Sequence, residues 1–499
     1  MSGDAAADRA PVGLRRDAIG LREVLFQSIT AMAPAAAVAA SIPSGAAFAG
    51  GSLPLAVLIA LVACLFTASS VAELARELPA AGSVSTYAAQ GLHPAVGFLV
   101  GWGYVFVEAL VPPLLLLQLG FTTAGTLHQE WSSYPADLWW PWALAGAAII
   151  AAAGYFGVRA SARFGTVLGV FEVLVFLVFA VWLIGKAGGD NTLSVFGTSH
   201  TAAGYQGVSG VFAGSVYTVL AFAGFEAAAP LAEETRNPRR TMHRAVLGAA
   251  LGIGLFYVVT TYAMTVYFGP DRFARFGASG EASWEGVARA SFGLFWVLVF
   301  LAVVNSTIAN ANACANVSTR TAFALARIRV LPRFFAALHP RHRSPVAGIA
   351  VQTVVAVGAV LGLGFGYDPV TAFLLLATVI VTVVIGVYIV VNLACAGYFL
   401  RRRRELLKPV RHLLLPLLGI VAFVPALLTA AGLPAFDFVT ELTAPVSYAG
   451  PIVAVWMAAG VVALLVLMRR HPERISETAR VHLDDPSPTS PAQNRAAHP

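Results

Sequence analysis

The stretch AFAGFEAAAP, Ala221 to Pro230, sets one ionisable side chain, Glu226, in otherwise apolar company, with Gly224 two residues before it and Pro230 four after. Around it the chain is 58% hydrophobic and only 11% charged, with a mean hydropathy of +0.76. Those proportions belong to a bilayer rather than to a soluble domain. A helix crossing a membrane needs about 20 mostly apolar residues. From Val24 to Ala72 no charged side chain occurs, which leaves room for two such helices and a turn.

The same reading predicts spans at 24–48, 53–74, 95–120, 138–157, 163–185 and 207–231, then 244–268, 290–319, 346–364, 370–399, 412–432 and 448–468. Basic residues test this layout, because arginine and lysine gather in short cytoplasmic loops. With both termini inside, all but four of the 32 lysines and arginines fall on the cytoplasmic side, the exceptions being Lys186, Arg272, Arg275 and Arg289. The formal net charge of +7 then reports orientation and contact with anionic lipid. No soluble domain exists to carry a nucleic-acid partner.

Four regions result: a cytoplasmic leader at 1–22, a membrane core at 23–400, two further spans within 401–470 and a disordered cytoplasmic tail at 471–499. The polar leader runs into a full-length first span without a small-residue cleavage site, so no cleavable signal is expected. Cys64, Cys314 and Cys395 lie far apart within spans and suggest neither a disulfide framework nor a metal site.

Among 25 acidic residues only Glu108, Glu172 and Glu226 lie deep in the expected spans. A charge near the centre of a membrane helix costs about 2.5 to 3.5 kcal/mol or more, so each is a functional candidate, with a structural acid bonded to a neighbouring helix as the competing reading. Span 1 holds TAMAPAAAVA, where Pro34 removes a backbone donor and breaks the helix just before it. Span 6 holds the Gly224–Pro230 stretch, and glycine adopts conformations closed to other residues. Interruptions in the first span of each half point to a transporter with discontinuous helices and a site near the bilayer midplane; two ordinary proline kinks are the plainer alternative.

The segment FAGFEAAAPLAEETRNPRRTMHRAV, Phe222 to Val246, resembles the sixth-span signature of the amino acid, polyamine and organocation transporter superfamily, of the bacterial amino acid permease type. AGGSLPLA, ELARELPAAGSVSTYA and GFLVGWGYVF are similar to its spans 2 and 3, and NANACANVSTRTAFALARIRVLPRFFAALHPRHRSP to the end of span 8 and the following loop. The resemblance covers roughly the first 350 residues. It implies an all-α membrane protein of about 12 spans in two inverted five-helix repeats of the LeuT type, spans 1–5 and 6–10, with spans 1 and 6 discontinuous and spans 11 and 12 peripheral.

By that resemblance the unwound parts of spans 1 and 6 hold the substrate, which puts Met32, Ala33, Ala35 and Ala36, with Phe222, Ala223, Gly224, Phe225 and Glu226, at the site. Free amides at a helix break favour an anion. Many relatives carry a Gly-Ser/Ala-Gly triplet at the span 1 break, whereas this chain has Ala33-Pro34-Ala35, and Pro34 cannot donate. Carboxylate capture must then shift to Ala35, Ala36 or Ala37, or the ligand is not a standard α-amino acid. Phe222 is the preferred aromatic gate, against the reading of a packed phenylalanine. Glu226 bonds freed amides, faces the path, contacts a cationic group or acts as a structural cap.

Glu172 in span 5 sits where some proton-coupled relatives carry a lysine in place of the sodium ion. Burial disfavours the charged form of a carboxylate, so Glu172 is the candidate for coupling to a proton. Sodium competes, with the Ser306 and Thr307 hydroxyls as hard ligands, against a plain packing role for both. Asn305, Asn312 and Asn316 fall on one side of span 8 as a polar stripe, and Glu108 lies one turn from Tyr104. The loop EETRNPRRTMHR could lock an inward gate through Glu–Arg pairs.

The function read from these features is secondary active transport of an amino acid or related amine across the plasma membrane by alternating access, coupled to protons or to sodium, with no cofactor. No P-loop GxxxxGK[ST] and no HExxH occurs, which speaks against an ATPase or a metalloenzyme. A non-transporting nutrient sensor and a polyamine or organocation exchanger are the rival readings. Three intramembrane acids suit a cationic amino acid or polyamine, while the alanine-rich breaks suit a small apolar substrate.

Overall fold

The computed structural model describes residues 20–470 apart from 79–82, 158–161, 206, 230–234, 236, 328–331, 340–341 and 343. Helices dominate, and no strand occurs among the described residues. The principal helices are α1 (Leu21–Met32), α2 (Leu53–Glu77), α3 (Pro94–Glu130), α4 (Trp140–Phe156), α5 (Ala162–Ala187), α6 (Val208–Phe222), α7 (Pro238–Phe268), α8 (Phe295–Arg327), α9 (Val346–Tyr367), α10 (Pro369–Arg401), α11 (Leu415–Ala431) and α12 (Ala449–Arg470). Among the described residues, nine helical stretches are long and apolar enough to cross a membrane, the first running from Leu21 to Glu77, and α4 and α6 are shorter apolar helices.

Local chemistry sets the helix ends. Proline stands in the first turn of α2, α3, α4, α7, α10 and α11, where its missing N–H is no loss. Only Asp368 separates α9 from α10, and its carboxylate accepts the amides of Val370 and Thr371, each at 3.0 Å. Inside α3, Pro112 and Pro113 leave carbonyls of the preceding turn without intrahelical partners. The Gln352 amide of α9 donates to one of them, Ala109 O, at 3.0 Å.

Two helix sets emerge from the packing. α2 lies along α6 and α7, with α1 against α7; α3 lies along α8, with α4 and α9 beside that pair. α5 and α10 touch both sets, α11 covers α2, α6 and α10, and α12 seats on α3 and α10. The indoles of Trp102 on α3 and Trp456 on α12 each donate to the other residue's carbonyl, at 3.0 and 3.2 Å, with ring centroids 4.8 Å apart.

Two helices stop short of the expected spans, and the way they stop builds the site. α1 ends at Met32; Ala33 takes a left-handed conformation at φ 45°, and a new helical run starts at Pro34 and widens to a π-turn at Ala37–Ser41. α6 ends at Phe222, and the chain turns through Gly224 at φ +111° instead of continuing to 231. Pro230 lies outside the described residues. Other spans run longer than expected, notably α3, which continues to Glu130 and keeps Thr122, Thr123 and Thr126 buried beyond the apolar window.

Candidate substrate site

The two breaks meet. A Cβ on Gly224 would come within 2.7 Å of the Ala31 carbonyl carbon, so only glycine permits the approach. Ser28 donates to Phe225 O at 2.8 Å, and the Tyr257 hydroxyl of α7 lies 2.9 Å from Met32 O and 3.0 Å from Ala221 O. Carbonyls freed by both interruptions are thus held by side chains from elsewhere, as buried backbone groups require.

Between the breaks and α3, α8 and α10 lies a cavity of about 90 Å³. Of the residues expected at the site, Met32, Ala33, Ala36, Ala223, Gly224 and Glu226 line it. Ala35 faces away, its amide directed at Glu172. Phe222 and Phe225 are fully buried outside the lining: the Phe222 ring stands edge-on to Tyr257 with centroids 5.3 Å apart, and Phe225 lies 5.1 Å from Tyr388.

Glu226 closes its own turn and braces it to two other helices. Its carboxylate accepts the Gly224 amide at 3.3 Å, the Tyr104 hydroxyl of α3 at 2.8 Å and the Tyr388 hydroxyl of α10 at 2.9 Å. Three donors on one buried acid make it a fixed joint. Gln118 of α3, 1% exposed, donates to Ala36 O at 2.9 Å on the other break.

Glu172 forms a second polar point behind the α1 break. It is 4% exposed, accepts the Asn305 amide of α8 and has the buried Ser306 hydroxyl beside it. Thr307 turns its hydroxyl to its own helix, donating to Val303 O at 2.6 Å. α1, α5 and α8 therefore converge on one carboxyl group. Among the described residues no group of three or more His, Cys, Asp or Glu side chains could hold a metal ion.

The asparagine stripe divides along α8. Asn305 meets α5, whereas Asn312 and Asn316 line a small cleft between α3, α4, α8 and α9, because the same helix side meets different neighbours at different depths. Asn310 and Cys314 face the central cavity instead. Of the 233–244 loop acids and arginines, Glu233, Glu234 and Arg236 lie outside the described residues; His243 sits 3.8 Å from Glu73 of α2, which also meets Arg411 and His412.

Residues not singled out from the sequence include Gln118, Tyr257 and Tyr388. Gln118 stands alone in the apolar run LLLLQLGF, and that isolation was its available signal; Tyr257 and Tyr388 are aromatics in apolar helices and carried none.

Residues 23–472 match the family model described as amino acid permease. The chain is 28% identical over 377 residues, 74% of its length, to the low-affinity putrescine importer PlaP of Escherichia coli (strain K12), covering 79% of that protein. It is 26% identical to the branched-chain amino acid permease BcaP of Bacillus subtilis (strain 168), over 70% of this chain and 75% of that one. With the methylthioribose transporter of the same organism the identity is 25%, over 62% and 67% of the two chains.

Proposed function

The chain belongs to the amino acid permease family, a family of multi-pass membrane transporters, and from that premise we propose that it carries an amino acid or related amine across the plasma membrane by alternating access. The observation that carries the reading is the meeting of two interrupted helices, at Ala33 and Gly224, around one buried cavity. Discontinuous helices of this kind expose backbone dipoles to a ligand at membrane depth. On this reading α1–α5 and α6–α10 are inverted repeats of the LeuT type, the molecule has about 12 spans with both termini cytoplasmic, and α11 and α12 are peripheral. The relatives' named substrates, putrescine and branched-chain amino acids among them, support this substrate class.

Glu172 is the proposed proton carrier. It touches both the α1 break, through Ala35, and α8, through Asn305, so a change in its charge alters the contact between the two helix sets. Phe222 is the proposed gate, and its ring must leave the Tyr257 edge to reach the cavity.

Purified protein in proteoliposomes, given a labelled amino acid and amine panel with an inward proton gradient or a sodium gradient imposed separately, tests the proposal. Proton-driven accumulation is the expected result; accumulation driven by sodium alone defeats the proton assignment. Binding without flux of any panel member defeats the transporter reading.

A further inference from the structure

The cavity lining holds two acids, Glu108 and Glu226, and no lysine, arginine or histidine. The acids are not equivalent. Glu226 is saturated by Tyr104, Tyr388 and the Gly224 amide. Glu108 is not: its Oε2 is buried and has no hydrogen-bond partner among the described residues. A carboxylate oxygen shut from water and left unpaired is costly, and a cation arriving in the cavity removes that cost.

At the other end, the α1 break is poor in anion donors. Pro34 has no N–H, the Ala35 amide faces Glu172, and the Ala37 amide donates to Ala33 O at 2.9 Å. Of the first turn only the Ala36 amide remains, fewer donors than a carboxylate with its two oxygens accepts. Carbonyl oxygens at both breaks, by contrast, each keep a second lone pair beyond the side-chain donor they already accept, and these suit an ammonium.

Resting on the transporter reading above, we infer that the substrate is a short aliphatic diamine without a carboxylate, one ammonium held by break carbonyls and the other by Glu108, which makes Glu108 the specificity-determining residue. A cavity of about 90 Å³ has room for a short chain. The two ammonium groups also balance the two carboxylates, which a zwitterion does not.

The test uses full-length protein with 1,4-diaminobutane, butylamine and leucine, read by uptake in proteoliposomes and by ligand-induced thermal shift in detergent. Wild type should favour the diamine over both others by at least tenfold. Glu108→Gln should raise the diamine KM at least tenfold with maximal rate and unliganded melting temperature retained, bringing diamine and butylamine near parity, and Glu108→Asp should restore part of the preference. Wild-type preference for leucine, or an equal loss for all three ligands in Glu108→Gln, overturns the inference while leaving transport intact. Should wild type move none of the three, transport fails, and the thermal-shift ranking alone still decides the diamine assignment.

Discussion

Gly224 shows how much rests on one missing methyl group. Its φ of +111° and the 2.7 Å approach to Ala31 mean that Gly224→Ala must both strain the backbone and push α1 away. We expect that variant to lose at least tenfold in substrate affinity and about 1–3 kcal/mol of stability, measured by binding and thermal melting. Gly252→Ala, where the added Cβ meets nothing within 4 Å, should change neither. Tyr257→Phe removes the hydroxyl that holds Met32 O and Ala221 O, leaving two carbonyls short of a donor. The breaks then lose their registration, so KM should rise several-fold with maximal rate retained; an unchanged KM would show that Ser28 and Gly224 suffice. Glu226 was legible in the sequence as an important acid because nothing else near it is polar. Its partners Tyr104 and Tyr388 were not, since they arrive from 122 and 162 residues away and hydropathy carries no information about which helices meet.

Among the elements, the long apolar helices were legible because hydrocarbon thickness imposes their length and composition. The break before Pro34 was legible too, for proline acts on its own helix. Short helices that cross nothing left no such trace: Ser83–Gly91 and Trp284–Phe292 are too short and too polar to stand out. The second of these buries Glu285, 3% exposed, with neither carboxylate oxygen partnered among the described residues. Burial raises its pKa from the ordinary 4.5 to about 7. The folded protein therefore keeps this proton while the unfolded chain releases it, so stability falls as pH rises from 4.5 towards 7 and is level above. Glu285→Gln should remove this residue's share of the slope, leaving a shallower one, and stabilise the protein at pH 8 by up to about 3 kcal/mol. Melting curves in detergent at pH 5 and pH 8 measure it; a slope equal in wild type and variant would mean that Glu285 titrates in the folded protein as it does in the unfolded chain.

In the whole molecule, the contacts between the two helix sets at the cavity include polar ones. Tyr104 to Glu226 and Gln118 to Ala36 O each join α3 to one of the breaks, and Asn305 to Glu172 joins α8 to α5 behind them. A rocking of α1, α2, α6 and α7 against α3, α4, α8 and α9 has to break or lengthen these bonds, whereas the Tyr257 bonds lie within the first set and travel with it. On the proposed reading, proton binding at Glu172 would alter the balance at such a joint, because a protonated carboxyl group accepts less strongly from Asn305 and from the Ala35 amide. If Glu172 is the coupling group, its neutral mimic Glu172→Gln should still exchange labelled for unlabelled substrate across the membrane but no longer accumulate it against a gradient when protons are supplied outside. Exchange needs only the binding site and the movement; accumulation also needs the proton to load on one side and leave on the other. The two assays on the same vesicles therefore separate coupling from folding and binding. Loss of exchange together with accumulation would make Glu172 a structural acid of the α1–α5–α8 joint, and proton-driven accumulation at the wild-type level would move the proton to another group.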